Sequence, residues 1–156
     1  NIFRLYGELK NAHAIAHAVV KFREENPLLT TADLNACLER FIPKFKGHQF
    51  LAKVYQALRI EVNEELKVIE ELLEQCEEIL NPHGRVVVMS YHSLEDRLVK
   101  NYFRDGNFEG KPEKDFYGNK ITPLKAITRK PVLASPEENE RNSRASSAKL
   151  RIAEKL

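Results

Sequence analysis

Side chains that handle protons and hydrogen bonds crowd together in Tyr91-His92-Ser93-Leu94-Glu95-Asp96. An imidazole, a hydroxyl and two carboxylates in one short run can orient a polar substrate or shuttle a proton. His92 and Ser93 are adjacent, so their side chains diverge and a Ser–His nucleophile pair between them is not expected. Local rules account for most of the rest. Ser93 reads as a helix N-cap with Asp96 three residues on. Glu95 and Asp96 read as first-turn carboxylates favoured by the helix dipole. His92 is the residue that these rules leave over. The partial positive charge of a helix N-terminus disfavours imidazolium, so a neutral ring is expected. Such a ring can accept a hydrogen bond from a substrate or orient a carboxylate beside it. Two other histidines, His13 and His17, share a helix face four residues apart. The H-E-x-x-H motif is absent and no third ligand is suggested, so no metal is expected.

The elements that must position this run are legible on both sides of it. Val86-Val87-Val88-Met89 is apolar without alternation and mostly β-branched, which favours a strand. A strand apolar on both faces is usually an interior strand of a parallel sheet covered by helices. Asn81-Pro82-His83-Gly84 breaks the helical pattern before it. The unit therefore reads helix, tight turn, buried strand, short loop, helix. In open α/β sheets ligands sit beyond the carboxyl ends of strands, and here that place is Ser90-Tyr91-His92-Ser93.

Upstream the pattern is helical. A first helix is expected over about Gly7–Glu25, stopped by Asn26-Pro27. Thr30 and Asp33 form a capping box for a second, short helix that Pro43 ends. Lys44-Phe45-Lys46-Gly47-His48 is a basic loop with one aromatic. Such interleaving suits RNA, while the plainer reading tucks Phe45 inward. Gln49–Leu80 is helical throughout, with a joint expected near Val62-Asn63-Glu64, where a β-branched residue and Asn weaken the helix. That joint is read as a domain boundary. Downstream, Asp105–Lys125 is a long Gly- and Pro-rich loop, of a length that is usually functional or disordered. Ala126–Leu133 reads as an edge strand because of Pro131. Pro136–Ser147 reads as irregular, and Lys149–Glu154 alternates as a closing strand.

Composition bounds the class. The chain has 156 residues, 42% hydrophobic and 31% charged, with a net charge of +2. That is the profile of a globular protein with one or two cores. No apolar run approaches membrane-spanning length. Two cysteines, Cys37 and Cys76, lie on apolar helix sides and read as buried reduced thiols, consistent with a cytoplasmic setting. The sequence opens at Asn1 on residues that already read as folded, so a piece of a longer protein is expected. Charge is uneven. Glu61–Glu78 holds eight Glu and one Lys. Lys120 to the end holds nine Lys/Arg against four Glu, and Arg40–Arg59 holds five Lys/Arg and no acid. A polyanion would favour the two basic stretches.

Three ordered motifs carry a resemblance. Ser90-Tyr91-His92-Ser93-Leu94-Glu95-Asp96-Arg97, with Val99-Lys100 and Phe103, resembles the S-[FY]-H-S-L-E-D-R-x-V-K-x-x-F signature. That signature belongs to the S-adenosylmethionine-dependent methyltransferases that modify a cytosine N4 amine in bacterial small-subunit ribosomal RNA. Tyr55–Asn63 resembles the family's F-Q-A-[LV]-R-I-x-[VI]-N. Asn142–Glu154 resembles its N-P-R-A-R-S-x-x-L-R-x-A-E, departing at Ser143 and Ser146, where the family has Pro and Arg. His17 stands where the family more often shows Arg.

The resemblance implies an α/β fold, a Rossmann-like class I methyltransferase sheet with an inserted helical domain. Residues 1–62 look like the later part of the insertion, and 63–156 like the closing part of the methyltransferase domain with its last three strands. The Gly-rich turn for the donor lies earlier in such proteins, and no G-x-G occurs in this chain. The chain is thus expected to supply a substrate-side wall through His92, Ser93, Glu95 and Asp96. Phosphate contacts are expected from Lys53, Arg59, Arg97, Lys100, Arg144 and Arg151. The implied partner is small-subunit ribosomal RNA or the ribosomal subunit, with no membrane partner and an open oligomeric state. Two other classes fit composition alone: an RNA-binding module without catalysis, and a helical structural protein with solvated basic faces. A polar run such as His92–Arg97 after a buried strand is what neither of these needs.

Overall fold

The structure, a computed structural model, describes residues 1–156. It divides into two compact units, Asn1–Glu65 and Leu66–Leu156.

The first unit is helical: α1 (Ile2–Leu5), α2 (Ala12–Glu25), α3 (Thr31–Leu38) and α4 (Gly47–Asn63). The helix expected from Gly7 starts only at Ala12. Glu8 is held at φ 49°, a left-handed conformation that no helix can contain. α2 stops at Glu25, with Asn26 extended before Pro27. α3 begins on the expected box: Thr30 accepts from the Asp33 amide, and Asp33 accepts from the Thr30 amide at 2.7 Å. Leu9, Ile15, Leu34, Leu38 and Val54 form the core. Tyr55 and Gln56 lock it from outside. The Tyr55 hydroxyl donates to Asn35 Oδ1 at 2.7 Å, and Gln56 Nε2 donates to the Tyr6 carbonyl at 3.2 Å. The helix joint falls at Glu64, in left-handed conformation. There Arg59 Nε and Nη2 reach the Glu65 carboxylate at 2.7 and 3.0 Å, and Asn63 Nδ2 joins them at 3.1 Å.

The second unit contains α5 (Glu65–Ile79, apart from its first residue), β1 (Arg85–Ser90), α6 (Ser93–Asp105), β2 (Leu124–Ala126), α7 (Pro136–Arg141) and β3 (Lys149–Lys155). The sheet order is β1-β3-β2, and both pairings are antiparallel. Val86 lies opposite Ala153, and Ser90 opposite Lys149. The inner face packs Val86 and Ala153 with Leu73 of α5 and with Val99, Tyr102 and Phe103 of α6.

The sheet corrects three expectations. β1 is not a strand buried on both faces within a parallel array: Val87 and Met89 are 56% and 50% exposed. Its only strand neighbour here is the reversed β3, which lies between β1 and β2. The edge strand expected over Ala126–Leu133 is β2 at Leu124–Ala126. Past it, Ile127 and Thr128 both donate to the Ile152 carbonyl, a local bulge, and Val132 makes a single bridge to Leu150 beyond Pro131. Finally, Pro136–Ser147 is not irregular. Ser135 caps α7 with Pro136 in its first turn, and Asn142 caps a 3₁₀ turn over Ser143–Ser147.

Candidate functional site

The corner between β1 and α6 is built by a capping box one residue earlier than expected. His92, not Ser93, is the N-cap, in extended conformation. Its Nδ1 accepts from the Glu95 amide at 3.4 Å. The Glu95 carboxylate in turn accepts from the backbone amides of Tyr91 at 2.8 Å and His92 at 3.2 Å. His92 Nε2 stands 3.1 Å from Glu95 Oε1. Both ring nitrogens thus stand against Glu95, Nδ1 on its amide and Nε2 beside its carboxylate. Burial alone would raise the Glu95 pKa. The His92 ring and the Tyr91 and His92 amides outweigh it and bring the pKa down to about 2. His92 is therefore explained by capping after all. The turn's amides, which an anion could otherwise use, are already taken by Glu95.

Asp96 is released from capping by this register, and it does something else. Arg151 of β3 meets it as a fork, Nε to Oδ1 at 2.7 Å and Nη2 to Oδ2 at 3.2 Å. Lys149 Nζ adds a contact at 3.4 Å. Asp96 and Arg151 are only 8% and 6% exposed. Burial pushes the Asp96 carboxyl up, but Arg151 and Lys149 more than reverse it, leaving its pKa below the ordinary value. Arg151 was expected to meet phosphate. Its guanidinium instead fastens α6 to the sheet, and strand alternation put it on the inner face. Arg59 likewise is engaged by Glu65.

Lys53, Arg97 and Arg144 are exposed, and Lys100 is half-buried. Lys100 borders a cleft of about 300 Å³ between α6 and the end of β2. Phe103 and Ala126 line its floor, and Arg104 and Arg129 stand with Lys100 around it. Arg144 lies instead on a groove of about 850 Å³ over the outer sheet face, floored by Met89, Val132 and Leu150. Of the predicted cations, Lys100 and Arg151 line the cleft between α6 and β2, while Arg144 lies on the other groove. His92, Ser93, Glu95 and Asp96 do stand together, with Tyr91 and Ser93 exposed at the corner. His13 and His17 are exposed on α2. Phe45, expected inward, is 86% exposed between Lys44 and Lys46. Both cysteines are free and half-buried rather than fully buried as expected, and this partial burial raises their thiol pKa values.

Sequence reasoning passed over Arg129 and the Asp105 cluster. Asp105 is buried at the end of α6 and holds Arg104 Nη2 at 2.5 Å and Lys120 Nζ at 2.7 Å. Arg104 lowers its pKa most, and Lys120 adds to this against the effect of burial. Its apolar helix neighbours Tyr102 and Phe103 were the available signal that this acid sits on a buried face.

No helix is long and apolar enough to cross a membrane. The family described as the MraW methylase family matches residues 1–156. A protein named ribosomal RNA small subunit methyltransferase H from Flavobacterium psychrophilum is 53% identical over 154 residues, 99% of this chain and 53% of that protein. Its namesake from Flavobacterium johnsoniae is 51% identical over 155 residues, 99% of this chain and 51% of that protein. The one from Parabacteroides distasonis is 49% identical over 156 residues, 100% of this chain and 51% of that protein. The chain spans about half the length of these relatives. Matched from its first residue to its last, the chain belongs to the MraW methylase family.

Proposed function

We propose that this chain is the substrate-side half of an S-adenosylmethionine-dependent methyltransferase that methylates the N4 amine of a cytidine in bacterial small-subunit ribosomal RNA. Family membership over the whole chain is the observation that carries this reading. The sheet supports it. A three-stranded β1-β3-β2 array with exposed Val87 and Met89 and a free β1 edge is where a larger Rossmann-like sheet would continue. In this reading residues 1–62 are a substrate-recognition insertion, and the protein works in the cytoplasm.

The residues present do not fit the methyl donor. There is no G-x-G, and the turn after β1 has its amides on Glu95. Donor binding therefore belongs to other parts of the protein. The contribution of this chain is orientation, which can supply much of the rate of such a reaction. Glu95 and His92 hold the turn, Asp96 and Arg151 hold α6, and Tyr91 and Ser93 present their side chains to the substrate. Lys53, Arg97, Lys100 and Arg144 meet phosphate.

Calorimetry on the isolated chain tests this. S-adenosylmethionine should give no binding heat, whereas RNA should bind with an affinity that falls steeply as salt rises. Micromolar donor affinity, about −8 kcal/mol, would place the donor site here and sink the half-site reading. RNA binding without any methylation by the complete protein would favour the alternative, an RNA-binding module.

A further inference from the structure

Between α6 and β2 the chain leaves the sheet in a long excursion whose two ends differ. The base is fastened. Phe108 stacks on Tyr102, ring centroids 4.6 Å apart, and Asn101 Nδ2 donates to the Phe108 carbonyl at 2.9 Å. Lys120 reaches the buried Asp105 at 2.7 Å. The tip is held by hydrogen bonds within its own turn. Lys114 and Lys120 pair as an antiparallel bridge, and the Asp115 amide donates to the Asn119 carbonyl at 2.9 Å. The Asp115 carboxylate accepts from the amides of Tyr117 at 2.9 Å and Asn119 at 2.8 Å, and from Asn119 Nδ2 at 3.0 Å. Gly118 makes the turn at φ +86°, a conformation that suits glycine. This frame holds Phe116 and Tyr117 at 98% and 86% exposure, their rings 5.7 Å apart and nearly perpendicular.

Two rings held in water by a built turn give up the burial that an apolar side chain normally gains. Their surroundings indicate what would cover them. Glu113, Lys114, Asp115, Gly118, Asn119 and Lys120 are polar or small, and Ile121, 56% exposed, is the one further apolar side chain on this hairpin, short of the apron that a membrane-inserting loop needs. Lys111 and Lys114 are exposed in the same loop, and the Asp115 carboxylate is turned inward on its own turn. Exposed ring faces on a loop that also carries cations are complementary to unpaired bases on a phosphate backbone.

We propose that the Asp115–Asn119 tip is a stacking platform for unpaired RNA bases, with Phe116 and Tyr117 taking base faces and Lys111 and Lys114 meeting phosphates. The inference rests on the reading that the substrate is ribosomal RNA, and it adds a contact outside the β1–α6 corner. The chain contains no tryptophan, so Phe116→Trp installs one fluorophore at the tip. A short single-stranded RNA should quench its emission, and the same sequence as a duplex should not. Phe116→Ser with Tyr117→Ser should weaken single-strand binding by about tenfold, leaving the salt slope and melting temperature unchanged. Lys114→Ala should lower that slope by about one. RNA binding seen by anisotropy without quenching would remove the platform and leave the RNA reading intact. No RNA binding at all would remove both. A blue shift on vesicles of phosphatidylcholine and phosphatidylserine, with no response to RNA, would assign the tip to a lipid surface and overturn the proposal.

Discussion

At the scale of residues, the corner is governed by which of two adjacent caps wins. Ser93 with Asp96 and His92 with Glu95 are both correctly spaced, and intrinsic preference favours Ser. The tie is broken by Arg151, distant in sequence, which claims Asp96. That is why His92 and its neighbours were legible as a cluster, while their division of labour was not. His92→Ala removes a cap and should cost about 1 kcal/mol in urea unfolding, whereas His92→Asn keeps a capping side chain and should cost only a few tenths. In the complete protein His92→Ala should lower the methylation rate about tenfold, roughly 1.4 kcal/mol. If His92→Asn restores that rate, His92 acts by holding the turn; a persistent loss assigns the imidazole a direct role. Asp96 with Arg151 is a stronger constraint. Breaking a buried pair from one side leaves an uncompensated charge, so Asp96→Ala should cost about 3–5 kcal/mol. The double replacement by apolar residues should cost less than the two single losses combined, measured by a double-mutant cycle.

At the scale of elements, α6 concentrates the acid sensitivity of the second unit. Glu95, Asp96 and Asp105 all have pKa values held below the ordinary range, Glu95 at about 2. A carboxylate depressed in the folded state stabilises fully above its unfolded pKa, about 4.3 for Glu, and loses that contribution as pH falls through the folded value. The contribution of these three carboxylates should therefore be constant above about pH 5 and decline toward pH 2. Glu95→Gln should make that decline shallower, as read by urea midpoints across this range; an unchanged slope would mean that Glu95 is not held as described. Helix positions were readable because capping and periodicity are local, as with Thr30 and Asp33. The faces of β1 were not. Four apolar residues in a row suggest burial on both sides, but Val87 and Met89 have no covering element within these residues. Coverage is a property of the rest of a fold and leaves no mark on a strand's own sequence.

For the molecule as a whole, the family could be read from three short motifs because they fix a backbone as well as a site. Tyr55, Gln56, Arg59 and Asn63 each make a contact that holds the helical unit or its joint. Asn142 caps the turn of the last motif. The basic stretches were legible as charge, but not as surface, since Arg59 and Arg151 turned out to be paired with Glu65 and Asp96. On the proposed function, these residues present ribosomal RNA to a methyl donor bound elsewhere. The most direct test supplies labelled S-adenosylmethionine and unmethylated small ribosomal subunits to the complete protein, then digests the RNA to nucleosides. Label is expected on the N4 amine of cytidine, with a loss of about tenfold in kcat/KM for the subunit on Lys100→Glu and donor affinity unchanged. Label on another base, or a Lys100→Glu protein that methylates at the original rate, would contradict it.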